Sequence, residues 1–153
     1  MAGWRIGFAV GNSTMIEAIN IIQDHLFCNQ FPAVQHAAAT ALNAEQTCVE
    51  ALRATYESRR NVLVAEAHRI GWNVTAPKGS FFAWLPVAEG YTSQQFADLL
   101  LEKADVAVAA GNGFGEYGEG YVRVGLLVDE DRMRQALKRV EKLELFSTTS
   151  MKV

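Results

Sequence analysis

An arginine stands alone among apolar residues in the run Tyr121-Val-Arg-Val-Gly-Leu-Leu127. Side chains alternate faces along a strand, so Val122, Val124 and Leu126 make one apolar face. Tyr121, Arg123, Gly125 and Leu127 make the other. A guanidinium is costly to bury unless something pairs with it. Gly125 offers no side chain to fill the space beside it. Arg123 therefore reads as a cation next to a gap that water or an anion fills.

A second arginine, Arg5, follows Gly3 at the start of an apolar segment. Its planar fork of donors suits the oxygens of a phosphate group. Gly113-x-Gly115-x-x-Gly118 fits the dinucleotide fingerprint, but its setting does not. That motif follows a strand and opens a helix, whereas here it lies between two strands. It reads as a turn. His25, His36 and His68 are scattered, Cys28 and Cys48 lie in helical segments, and neither set has metal-ligand spacing. No metal site is expected.

The elements that must position these arginines follow from periodicity. Arg5 to Val10 reads as a short strand, with Ile6, Phe8 and Val10 on one side. Thr14 with Glu17 resembles a capping box opening a helix to about Phe27. Pro32 opens a second, alanine-rich helix to about Leu42. A long helix from about Glu45 to Ile70 ends at Gly71. After it come a short extended segment at Trp72–Thr75, an aromatic-rich strand from Ser80 to Leu85, and a helix capped by Thr92 and Gln95. A strand at Val106–Ala109, the glycine-rich loop and the Arg123 strand follow. Asp129 caps a last helix, before a polar tail from Ser147 to Val153. The second half is thus an α+β arrangement, a small and largely antiparallel sheet with packed helices. The first half has a single strand, which cannot satisfy its own backbone hydrogen bonds. The first 44 or so residues therefore read as part of a sheet domain whose other strands lie elsewhere.

The chain has 153 residues, half of them hydrophobic, and a net charge of −3. This is the size of one domain or one and a fraction. The charge argues against a broad nucleic-acid-binding surface. No apolar run reaches the length of a membrane helix. Few cysteines and no signal peptide point to a reduced, cytoplasmic setting.

The segments "MAGWRIGF", "PAVQHAAATAL", "GWNVTAPKGSFFAWLPV" and "VAVAAGNGFGEYGEGYVRVGLL" resemble, in order and spacing, those of class I/II aminotransferases of fold type I. These enzymes use pyridoxal 5′-phosphate (PLP). The resemblance runs from Met1 to about Leu145 and covers the C-terminal portion of such an enzyme. It implies that Arg5 binds the cofactor phosphate and that Arg123 binds the substrate α-carboxylate. It also implies an α/β parent: residues 1–44 as a helical remnant of the large PLP domain, and residues 45–153 as the interdomain helix and small domain. Many relatives have a proline where this chain has Ala110, which leaves the following loop looser. The family's Schiff-base lysine matches a position upstream of Met1. No catalytic residue is therefore expected within the chain, and the fragment alone is expected to be inactive. The parent would be a homodimer moving an amino group between an amino acid and a 2-oxo acid, and the fragment would self-associate. Two other readings stand beside this one: a non-catalytic α+β module that binds carboxylates at Arg123, and part of a related PLP lyase or synthase, since one scaffold serves several reactions.

Overall fold

The computed structural model describes residues 2–146, so the tail read from Ser147 to Val153 lies outside it. The chain divides into two compact units, Met1–Glu50 and Ala51–Val153.

The first unit is helical. A 3-10 turn at Ala2–Trp4 leads to helices α1 (Ser13–Ile22) and α2 (Pro32–Asn43), with a π turn at Gln23–Phe27 between them. The strand expected at Arg5–Val10 does not form. The alternation of Ile6, Phe8 and Val10 suits a strand, but the first unit has no partner strand among the described residues. Without a ladder the backbone polar groups gain nothing from extending. The capping residue also differs from expectation. Asn12, not Thr14, starts α1, and its Oδ1 accepts from the N–H groups of Thr14 at 3.0 Å and Met15 at 3.4 Å. Asparagine is among the strongest N-caps, and it lies closer to the first free donors. Cys28 falls just after the π turn rather than within a helix.

Helix α3 (Thr47–Arg69) leads into the second unit. There, strand β1 (Phe82–Pro86), helix α4 (Ser93–Ala104), strand β2 (Ala109–Ala110), strand β3 (Tyr121–Gly125) and helix α5 (Glu130–Glu141) follow in order. The sheet is antiparallel throughout, ordered β1-β3-β2, with Trp84 opposite Arg123 and Leu85 opposite Val122. The extended segment at Trp72–Thr75 forms no ladder, and β2 is shorter than the span expected from Val106. The capping box is present as read, with Gln95 N–H donating to Thr92 Oγ1 and Thr92 N–H donating to the Gln95 side chain.

One sheet face carries Ala83, Leu85 and Val122, all essentially buried with Leu63, Phe96, Leu100 and Val140 in a single core. Alternation then forces Phe82, Trp84, Tyr121 and Arg123 onto the opposite face. Trp84 and Tyr121 stay partly open to solvent, and Arg123 is half-buried. Burial of one face thus fixes which way the arginine points.

Candidate functional site

Arg123 stands at the centre of β3, opposite Trp84 of β1 and Ala109 of β2. Its guanidinium carbon lies 4.2 Å from the centre of the Phe82 ring and 4.1 Å from that of Phe114. Both rings are therefore within cation–π distance of the guanidinium. Trp84 meets Phe114 edge-to-face at 5.4 Å. Among the described residues no carboxylate or carbonyl bonds to Arg123. Stacking of this kind attracts a cation while leaving its N–H donors unused.

The gap expected beside Arg123 is not open. A side-chain carbon placed on Gly125 would lie 3.1 Å from Leu127 Cγ and 3.8 Å from Phe82 Cε1. Leu127 therefore occupies that space, and glycine lets Leu127 and the Phe82 ring come close to the strand.

Phe114 reaches Arg123 from the glycine-rich loop, which is ordered as two 3-10 turns, Gly111–Phe114 and Glu116–Gly118. Ser93, at the start of α4, anchors it. Its hydroxyl is buried, accepts from the N–H groups of Gly120 at 2.9 Å and Tyr121 at 3.2 Å, and donates to the Gly118 carbonyl at 3.3 Å. Glu119 completes the joint. Its carboxylate accepts from Ser93 N–H at 2.8 Å, one of the first-turn donors that α4 leaves without an intrahelical partner, and from Gly120 N–H at 3.1 Å. The Ser93 N–H holds the Glu119 carboxyl below the usual carboxylate range, with the Gly120 N–H adding to the effect.

Arg5 belongs to the first unit, Arg123 to the second. Arg5 directly follows the 3-10 turn and has φ of +53°, in the left-handed region. A residue with a side chain rarely sits there, and the conformation costs about 1 kcal/mol. Arg5 borders an open concavity of about 730 Å³ that also includes Asn20, Gln23, Gln35 and Asn43. Its guanidinium is exposed, and no described residue bonds to it. Ile6, Phe8, Ile16 and Leu42 share the lining, and the Gln23, Gln35 and Asn43 amides already donate to backbone carbonyls, so the free guanidinium is the group there suited to an anion.

Phe82, Phe114, Ser93 and Glu119 were not marked by spacing or motif. The only signal for the rings was an aromatic-rich strand next in order to an arginine without a partner. Among the described residues no group of three or more His, Cys, Asp or Glu could hold a metal ion. No described helix is long and apolar enough to cross a membrane.

The sequence and the fold of this chain are matched in known proteins. Residues 1–140 match the family described as aminotransferase class I and II. The chain belongs to that family, whose members use PLP. It is 67% identical over 151 residues to the L-glutamine–4-(methylsulfanyl)-2-oxobutanoate aminotransferase of Bacillus subtilis, covering 99% of this chain and 38% of that protein. It is 41% identical to the LL-diaminopimelate aminotransferase of Moorella thermoacetica, covering 94% of this chain and 37% of that protein. Among solved structures, an aminotransferase from Staphylococcus aureus superposes with a TM-score of 0.85 at 35% identity, over 96% of this chain and 39% of that one. The apo structure of BacF from Bacillus subtilis gives 0.84 at 38% identity, over 97% and 38%. The chain thus spans under two-fifths of the length of the relatives it matches.

Proposed function

We propose that the chain is the C-terminal part of an aminotransferase that moves an amino group between an amino acid and a 2-oxo acid, with Arg123 binding the α-carboxylate of each. One observation carries this reading: the Arg123 guanidinium lies against two aromatic rings with its donors unmatched by any described residue. A half-buried cation left unpaired by its own protein is set up to take a negative charge from a ligand.

The residues present fit PLP in the part of it they can reach. Arg5 would hold its phosphate, since the guanidinium is free, borders an open concavity of mixed polar and apolar lining, and is kept at a strained backbone angle. Bound PLP supplies the electron sink that lets a bond to the substrate α-carbon break. The work of this chain is binding and orientation. Arg5 anchors the cofactor end, and Arg123 anchors the carboxylate end of the substrate, which sets which α-carbon bond faces the reacting groups. The proton-moving lysine of the family is assigned to sequence outside this chain.

Residues 1–44 are assigned to the large cofactor domain and residues 45–153 to the interdomain helix and small domain, a reading supported by the division of the chain near Glu50. A cytoplasmic homodimer is part of the same reading and rests on the family resemblance. The high identity to the Bacillus subtilis relative makes L-glutamine and 4-(methylsulfanyl)-2-oxobutanoate the first substrate pair to assay.

The deciding experiment replaces Arg123 in the full-length enzyme. Arg123→Gln lowers kcat/KM for both amino acid and 2-oxo acid by about 100-fold or more, mostly through KM. Arg123→Lys recovers only part of this, because an ammonium cannot bind both carboxylate oxygens in a plane. An unchanged KM in Arg123→Gln overturns the reading.

A further inference from the structure

We propose that Arg59 of α3 is a positioning residue for the carboxylate site: it holds the Leu126 carbonyl, and through the turn after β3 it keeps Phe82 against Arg123. The inference rests on the reading of Arg123 as the carboxylate site and adds a second arginine that acts through the strand rather than on the ligand.

Residues three apart share one face of a helix, and Tyr56 and Arg59 turn the same face of α3 towards the sheet. The Tyr56 ring lies 6.0 Å from that of Phe81, the residue before β1. Arg59 Nη1 donates to the Leu126 carbonyl at 3.2 Å, and the Arg59 guanidinium carbon lies 5.7 Å from the centre of the Tyr56 ring. Arg59 Nε is buried and bonds to no described residue. Holding a guanidinium partly out of water is costly, and an apolar side chain would avoid that cost. The bond to Leu126 is what sets the arginine apart from such a side chain.

Leu126 is the first residue after β3, and both of its backbone groups are taken. Its N–H donates to the Phe81 carbonyl at 2.8 Å, and its carbonyl accepts from Arg59. The peptide that joins Leu126 to Leu127 is therefore fixed in direction. That direction brings Leu127 back over Gly125, where Leu127 Cγ and Phe82 Cε1 lie 3.1 Å and 3.8 Å from the place of a side-chain carbon. The centre of the Phe82 ring in turn lies 4.2 Å from the Arg123 guanidinium carbon. Released from Arg59, the peptide can rotate, Leu127 leaves Gly125, and Phe82 gains room to move off Arg123. Leu127 is 60% exposed, so little else holds it in place.

The test measures kcat, KM and Tm on the full-length enzyme. Arg59→Met keeps an unbranched stem and loses the donor. KM for the amino acid rises about five- to tenfold with kcat within about twofold of the wild type, because the carboxylate is held less well while the reacting groups are untouched. Arg59→Lys returns a donor to the Leu126 carbonyl and brings KM back to within about twofold. Leu127→Ala raises KM as Arg59→Met does, and the double variant is little worse than either single one, since both act along one path. Arg69→Ala is the control. Arg69 ties the far end of α3 to Glu141 of α5 at 2.7 Å, so its loss at most lowers Tm and leaves KM alone. An unchanged KM in Arg59→Met, an equal rise in Arg69→Ala, or effects of Arg59→Met and Leu127→Ala that multiply overturns the positioning role. Arg123→Gln separates the two levels. If it leaves KM unchanged, the carboxylate site itself is wrong; if it raises KM while Arg59→Met does not, only the role of Arg59 fails.

Discussion

Gly111 and Gly118 lie so close that a methyl group on either would overlap the carbonyl oxygen of the other. This contact closes the base of the loop whose first turn ends at Phe114. The residues read as a loose turn are a packed joint, and the phenylalanine over Arg123 depends on it. Gly111→Ala or Gly118→Ala is expected to destabilise the second unit by about 1–3 kcal/mol, because backbone must move to admit the methyl. The midpoint of urea unfolding gives the size of the effect. A melting curve like that of the wild type in both variants rules out the joint.

Ser93 holds the same loop from the other side, with one hydroxyl serving two N–H groups and one carbonyl. Ser93→Ala removes these partners at a buried position. A cost of about 2–3 kcal/mol is expected. In the full-length enzyme KM for the amino acid should rise with little change in kcat, since Phe114 loses its support while the reacting groups are untouched. Steady-state kinetics on the variant decide this. A fall in kcat at constant KM argues that Ser93 acts elsewhere.

Acid should weaken the second unit through Glu119. Its carboxyl titrates lower in the folded chain than in the unfolded one, because Ser93 N–H donates to the charged form. A depressed folded value means that the stabilisation is present in full above the ordinary carboxylate range and is lost as pH falls through the lowered value. Glu130, bonded by Ser58, and Glu141, bonded by Arg69, are lowered in the same way. Tm followed from about pH 6 to pH 3 should therefore fall, and Glu119→Gln should flatten that fall in part. Equal slopes for variant and wild type would show that Glu119 is not coupled to folding.

The 153-residue chain should self-associate. Val10 is 95% exposed, and Leu26, Phe27 and Phe31 are each about 70% exposed on the first unit. An apolar surface of this kind drives association in water. Light scattering over a concentration series should show mass rising above that of one chain, and Leu26→Ser with Phe27→Ser should lower it. A monomer at every concentration contradicts the prediction.

The helices, and their caps apart from that of α1, were legible in the sequence because a helix is governed by residues within one turn. Thr92 with Gln95, Asp129 before α5, and Pro32 at the start of α2 fall where read. The alternation around Arg123 was equally plain, since Val122 and Leu126 needed only a core to face. The same alternation misled at Ile6, Phe8 and Val10, where periodicity says nothing about whether a partner strand exists. Likewise the space beside Gly125 looked empty in the sequence, although Leu127 turns back to fill it.

By itself the sequence determined the order of the long helices, the apolar face of β3, and the presence of two arginines suited to anions. Tertiary structure alone decided what surrounds one of them. Phe82 reaches Arg123 across a strand pair and Phe114 through a loop closed by glycines, while Ser93 meets Gly120 from a helix 27 positions earlier. Such contacts depend on strand register and loop closure, and those free energies are settled only when distant segments pack together.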